Sequence, residues 1–78
     1  MPTVLRVGPY RFFFFAMDRN EPPHIHVNRD EDTAKFWLSS VRCSYNDRFP
    51  QHELKRIKKI VKENEQLLLG RWNEFFKV

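Results

Sequence analysis

Cysteine is nearly missing: Cys43 stands alone among 78 residues, so no disulfide can close within the chain and the expected setting is a reducing cytoplasm. Long hydrophobic runs are missing too. The longest uninterrupted apolar stretch, Phe12 to Met17, falls far short of the roughly 20 residues that span a bilayer. The opening Met1-Pro2-Thr3-Val4 has no basic stretch leading into an apolar one, which is the pattern of a secretory leader. Neither secretion nor a membrane partner is expected. With only two glycines, the chain holds no phosphate-cradling glycine loop and no nucleophile elbow. The CxxC, HExxH and EF-hand patterns are also missing, so neither a metal nor another cofactor is expected.

What the chain has in quantity is rings. Eight Phe, two Trp and two Tyr supply large apolar area per residue, which lets a chain too short for two cores assemble one without staples. The remaining composition, 41% hydrophobic and 31% charged with five prolines, is ordinary globular usage. One domain over residues 1–78 is expected. The net charge of +4 and pI near 9.6 permit attraction to nucleic acid, to an anionic membrane or to an acidic protein, and equally serve plain solvation.

The pattern changes character near residue 46, from alternating apolar and polar residues to helical spacing, which predicts an α+β fold with a sheet half (1–46) and a helical half (47–78). Thr3 to Val7 reads as a strand, Gly8-Pro9 as a turn and Tyr10 to Met17 as a long aromatic strand. Asp18 to Glu21 turns the chain, and Pro22-Pro23 offers no backbone donor, so pairing resumes at His24 and runs through Asn28. Asp30 to Asp32 makes the next turn, Thr33 to Leu38 is a fourth strand, and Val41 to Tyr45 a short fifth. Such brief connections favour a small antiparallel sheet. In the second half Leu54, Ile57, Val61, Leu68, Trp72 and Phe75 mark one helical stripe, widened by Ile60, Leu67 and Phe76. One straight helix from Gln51 to Phe76 would be about 39 Å long, too long for so small a domain. A break is expected at Asn64, acting as N-cap of a second helix from Glu65.

Alternation along the strands then sorts the side chains. Ile25 and Val27 point one way and His24, His26 and Asn28 the other; Arg6 opposes Leu5 and Val7; Lys35 and Trp37 oppose Ala34, Phe36 and Leu38. If Phe12 and Phe14 enter the core, Phe13 and Phe15 join Arg6, Arg11, His24, His26, Lys35 and Trp37 on the other face. That basic, aromatic set is the expected binding surface. The alternatives are that a helix, the C-terminal residues 76–78 or a homodimer partner covers it.

The pair His24 and His26 is the sharpest local feature, because imidazoles at i and i+2 on one strand face can divide acid and base roles or share a metal. They are the candidate catalytic residues, with Arg6, Arg11 or Lys35 available to stabilise a phosphate. The bland alternative is hydrogen bonding within the sheet. Two ligands do not make a zinc site, and Cys43 and His52 are the other soft ligand types in the chain. Cys43 as a nucleophile has only Arg42 beside it in support. Lys55, Arg56, Lys58, Lys59 and Lys62 fall between apolar positions and form the solvent face of the first helix.

These residues also carry a resemblance. The opening Met1-Pro2-Thr3-Val4, then GPYRFFFF, EPPHIHV, KFWL, HEL and the closing RW..FF together are similar to the bacterial family known as domain of unknown function 4160, over residues 1 to about 76. The family commonly has Ser where Pro50 stands, which would form a capping box with Glu53; here Pro50 keeps a hydrophobic staple between Phe49 and Leu54 and is expected as the first helical residue. Members are short proteins often encoded beside a small protein of domain-of-unknown-function family 2442, in an arrangement resembling a type II toxin–antitoxin pair. The resemblance therefore implies a toxin-like component whose partners are a cognate small antitoxin-like protein or RNA, and it carries over no catalytic residue. Beside this interaction role stand two alternatives, a His-dependent ribonuclease and a non-catalytic nucleic-acid-binding regulator.

Overall fold

A computed structural model describes residues 3–76. Five strands form one antiparallel sheet in sequence order: β1 (Thr3–Val7), β2 (Tyr10–Phe13), β3 (His24–Arg29), β4 (Asp32–Trp37) and β5 (Arg42–Asp47), followed by α1 (Gln51–Glu63) and α2 (Glu65–Phe75). The expected α+β class and small antiparallel sheet are what the chain adopts, with the strands running as a meander. Gly8, at φ 56°, takes the first central position of the Gly8-Pro9 turn that closes Val7 onto Tyr10, where a two-residue hairpin favours glycine.

Alternation places Tyr10, Phe12, Ile25, Val27, Ala34, Phe36 and Leu38 in one core cluster with Phe14, Phe49, Ile57, Val61, Leu68, Trp72 and Phe76. The helices therefore cover the aliphatic face, as the pattern predicts. Within the stripe, Phe76 is buried while Phe75 and Leu67 are exposed, because α2 ends at Phe75 and the backbone at Phe76 (φ −110°, ψ 45°) leaves the helical path.

Three local expectations need correction. The aromatic strand stops at Phe13, and Ala16–Asn20 is a 3₁₀ helix where a continuing strand and a turn were expected. The Asp18 carboxylate accepts the Phe15 N–H at 2.7 Å, which satisfies locally a donor that strand pairing would otherwise use. Pro50 is the N-cap of α1, not its first helical residue: its backbone is extended at φ −71°, ψ 160°, and its carbonyl accepts from Glu53 and Leu54. The helical half does break at Asn64, and α1 plus α2 fit a molecule whose longest axis is 36 Å. The Asn64 side chain, however, makes no cap for α2; its Nδ2 donates to the Ile60 carbonyl at 2.9 Å and closes α1.

Candidate functional site

Register across the sheet arranges the open face in three rows. The first is Arg6, Arg11, Asn28, Thr33 and Asp47; the second Thr3, Phe13, His26, Lys35 and Tyr45; the third His24, Trp37 and Arg42. A bulge between Lys35 and Phe36 turns both Tyr45 and Arg42 to this side. Of the sequence-predicted binding residues, Arg6, Arg11, Phe15, His26, Lys35 and Trp37 gather here with accessible surface. Phe13 and His24 do not stay exposed.

Phe13 is only 6% exposed because its own face covers it: the Arg11 guanidinium lies 4.5 Å from the ring centroid, Phe15 packs edge-on at 5.2 Å and His26 stacks at 5.6 Å. His24 is completely buried. The last ladder pair of β2 is Phe13 with His26, so no β2 residue lies alongside His24. Trp72 fills that gap from α2, its ring 5.1 Å from the imidazole, with Trp37 edge-on from the other side at 5.7 Å.

The centre of the face is a hollow of about 250 Å³ lined by Phe13, Phe15, His26, Lys35 and Tyr45, among others. Phe15 is 37% and Tyr45 56% exposed, so two ring faces stand at the hollow in water. Lys35 sits 4.8 Å from the Trp37 ring centroid and pairs with Glu21; that hydrogen bond holds the Glu21 carboxyl below its usual value.

Beside the hollow lies an arrangement that pattern reading missed. The 3₁₀ helix brings Asp18 against both histidines of β3, with Oδ1 3.1 Å from His24 Nε2 and Oδ2 3.0 Å from His26 Nε2. A carboxylate only accepts, so His26 Nε2–H donates to Asp18, at 3.0 and 3.2 Å to the two oxygens. Burial alone would raise the Asp18 carboxyl; the Phe15 N–H and the His26 N–H outweigh it and hold the group below its ordinary value. Burial lowers the His26 imidazole, Asp18 pulls the other way, and the balance favours the neutral ring. No local signal pointed to it: residues 14–23 become a ten-residue connection only because the strand stops at Phe13, and that length exceeds a simple hairpin loop of about 2–5 residues.

His24 differs from His26. Its Nδ1 faces the Pro22 carbonyl at 2.8 Å, so Nδ1–H donates there, and Nε2 is buried without an aligned hydrogen-bond partner. Asp18, His24 and His26 present one ligand atom each within 4.8 Å of one another. The expectation that no metal set exists rested on two histidines lacking a third ligand, and Asp18 is a third donor. Cys43 stands apart from this group among exposed residues of β5. Its thiol is pushed up by burial, against the opposing effect of the Tyr45 backbone, which makes it a poor nucleophile. His52 lies exposed in the first turn of α1.

No helix among the described residues is long and apolar enough to cross a membrane. Neither a curated protein nor a solved structure matches the chain. A family model does match, over residues 10–73, which include every strand from β2 onward, the 3₁₀ helix with Asp18, both histidines and most of α2. The chain belongs to the family described as domain of unknown function (DUF4160).

Proposed function

We propose that this protein is the toxin-like member of a two-protein, toxin–antitoxin-like pair, and that it acts by binding single-stranded RNA on the open face of its sheet. The cognate small antitoxin-like protein covers the same face. The observation that carries the RNA reading is the pairing of exposed rings with cations: Phe15 and Tyr45 line the hollow with Lys35, and Arg6, Arg11 and Arg42 lie on the same face. Unpaired bases stack on ring faces irrespective of sequence, and phosphates follow the cations. A sheet bearing stacked rings is a recurrent way of holding single strands.

Fluorescence anisotropy with a labelled single-stranded RNA tests this. Affinity falls steeply between about 50 and 200 mM salt, because phosphate contacts release counterions, and Phe15→Ala with Tyr45→Ala together weaken binding by about 2–6 kcal/mol at about 1–3 kcal/mol per stacked base. Binding that is absent, or indifferent to salt, removes the RNA reading. Expression alone arrests growth and co-expression with the adjacent gene relieves it; no growth effect and no complex with that neighbour removes the toxin-like reading.

The Asp18–His26 bond favours one second reading, a ribonuclease. Asp18 orients the His26 ring beside the hollow, an arrangement suited to general acid or base work. Cleavage that is lost in His26→Ala while binding and far-UV circular dichroism are retained supports it. Binding without any cleavage leaves the non-catalytic role.

A further inference from the structure

We propose that Asp18, His24 and His26 form a binding site for a divalent transition-metal ion of the zinc type. The proposal is independent of the RNA reading and stands if the open face binds no RNA.

The first argument is distance. Two ligand atoms each about 2.0–2.1 Å from one ion, at tetrahedral or octahedral angles, lie about 3.0–3.4 Å from each other. Asp18 Oδ1 lies 3.1 Å from His24 Nε2 and Oδ2 lies 3.0 Å from His26 Nε2; the three ligand atoms lie within 4.8 Å of one another, and a turn of the partly exposed His26 ring closes the set around one ion. Two imidazoles and one carboxylate are a donor set that suits zinc and its first-row neighbours, and three protein ligands leave a coordination position open.

The second argument is His24 itself. Its ring is completely buried, and donation from Nδ1–H to Pro22 at 2.8 Å leaves Nε2 as a bare lone pair in the neutral ring. That lone pair lies close to a carboxylate oxygen yet is not aligned with it as a hydrogen bond. Without a third atom between them, two acceptors face each other inside the protein, an arrangement that costs free energy. When an ion takes both lone pairs, neither acceptor is left facing the other. The 2-residue step from Pro22 to His24 therefore fixes the tautomer that ligation requires at His24, and His26 ligates once the Nε2 proton it donates to Asp18 is released or moves to Nδ1.

The third argument is the surrounding layer. Metal-bound histidines usually donate their other N–H to a carbonyl or carboxylate, and ligating carboxylates are themselves hydrogen-bonded. Pro22 O does this for His24, and Phe15 N–H does it for Asp18 at 2.7 Å. Trp37, Trp72 and Phe15 wall the imidazoles, which keeps bulk water from competing for the ligands.

Co²⁺ serves as the probe, because its visible absorption reports coordination directly. Chelator-stripped full-length protein titrated with Co²⁺ is expected to develop visible bands that saturate at one equivalent and vanish on adding Zn²⁺. Asp18→Asn keeps an oxygen for the Phe15 N–H but loses the charge, and His26→Ala alters a partly exposed position; each is expected to lower affinity at least tenfold with unchanged far-UV circular dichroism. Cys43→Ser and His52→Ala are expected to leave it unchanged. Zn²⁺ raises Tm in the parent protein and not in His26→Ala. Saturation without new bands, or Co²⁺ bands that persist undiminished in both Asp18→Asn and His26→Ala, overturns the proposal.

Discussion

Tyr10 and Glu53 are 43 positions apart, and the hydroxyl donates to the buried carboxylate at 2.8 Å, while Arg29 pairs with the same carboxylate at 2.8 Å. One turn of α1 is thereby anchored to two strands. Burial raises the Tyr10 hydroxyl above its usual value, and Glu53 adds to the effect. A folded-state value above the unfolded one means that the stability held by neutral Tyr10 is fully present below about pH 10 and is lost as pH rises through the folded value. Urea midpoints measured from pH 8 upward should fall more steeply beyond pH 10 in the parent protein than in Tyr10→Phe. At neutral pH the same substitution should cost about 1–2 kcal/mol, because it removes a hydrogen bond to a charged, buried acceptor. Parallel pH slopes in the two proteins would refute the assignment.

Among the elements, the start of α1 shows why side-chain caps and helix starts separate. Pro50 at the N-cap offers no side-chain acceptor, and Glu53, three residues on, is spent on Tyr10 and Arg29 and not on the reciprocal half of a capping box. Pro50→Ser should therefore restore only the Ser-to-backbone half. Chemical denaturation is expected to place Pro50→Ser about 1 kcal/mol above Pro50→Ala, with the parent close to the Ser variant because Pro50 lowers the entropy of the unfolded chain. Equal stability of the Ser and Ala variants would mean that no cap forms. The 3₁₀ helix makes a similar point: Asp18 lies in the connection between β2 and β3, yet its carboxylate serves both the local cap and the two histidines of β3.

At the scale of the molecule, one face of the sheet is buried against the helices and the other carries the proposed binding surface. Phe36 is almost wholly enclosed in the core, and Phe36→Ala should cost about 3–5 kcal/mol, enough to unfold a domain of this size at ordinary temperature. Phe15 projects on the opposite face and keeps much of its ring in water. Phe15→Ala should change stability by less than about 1 kcal/mol while weakening RNA binding. Thermal melts and anisotropy on the two variants check this separation, and a collapse of stability in Phe15→Ala would merge the two faces into one core.

Period determined the α+β class and the face that meets the helices, because a step of two along a strand and of 3.6 around a helix is written in the chain locally; brief connections determined the antiparallel pairing, and helix length with the N-cap preference of Asn64 the break there. Ile25 and Val27 could be sorted from His24 and His26 without coordinates. Only tertiary structure decided what surrounds each side chain once sorted: that Trp72 comes across from α2 to enclose His24, that Glu53 reaches Tyr10, and that the connection after β2 folds into a 3₁₀ helix and delivers Asp18 to two imidazoles. Alternation assigns a direction to a side chain, whereas burial and ligand sets depend on which distant segments arrive there, and no local period encodes that.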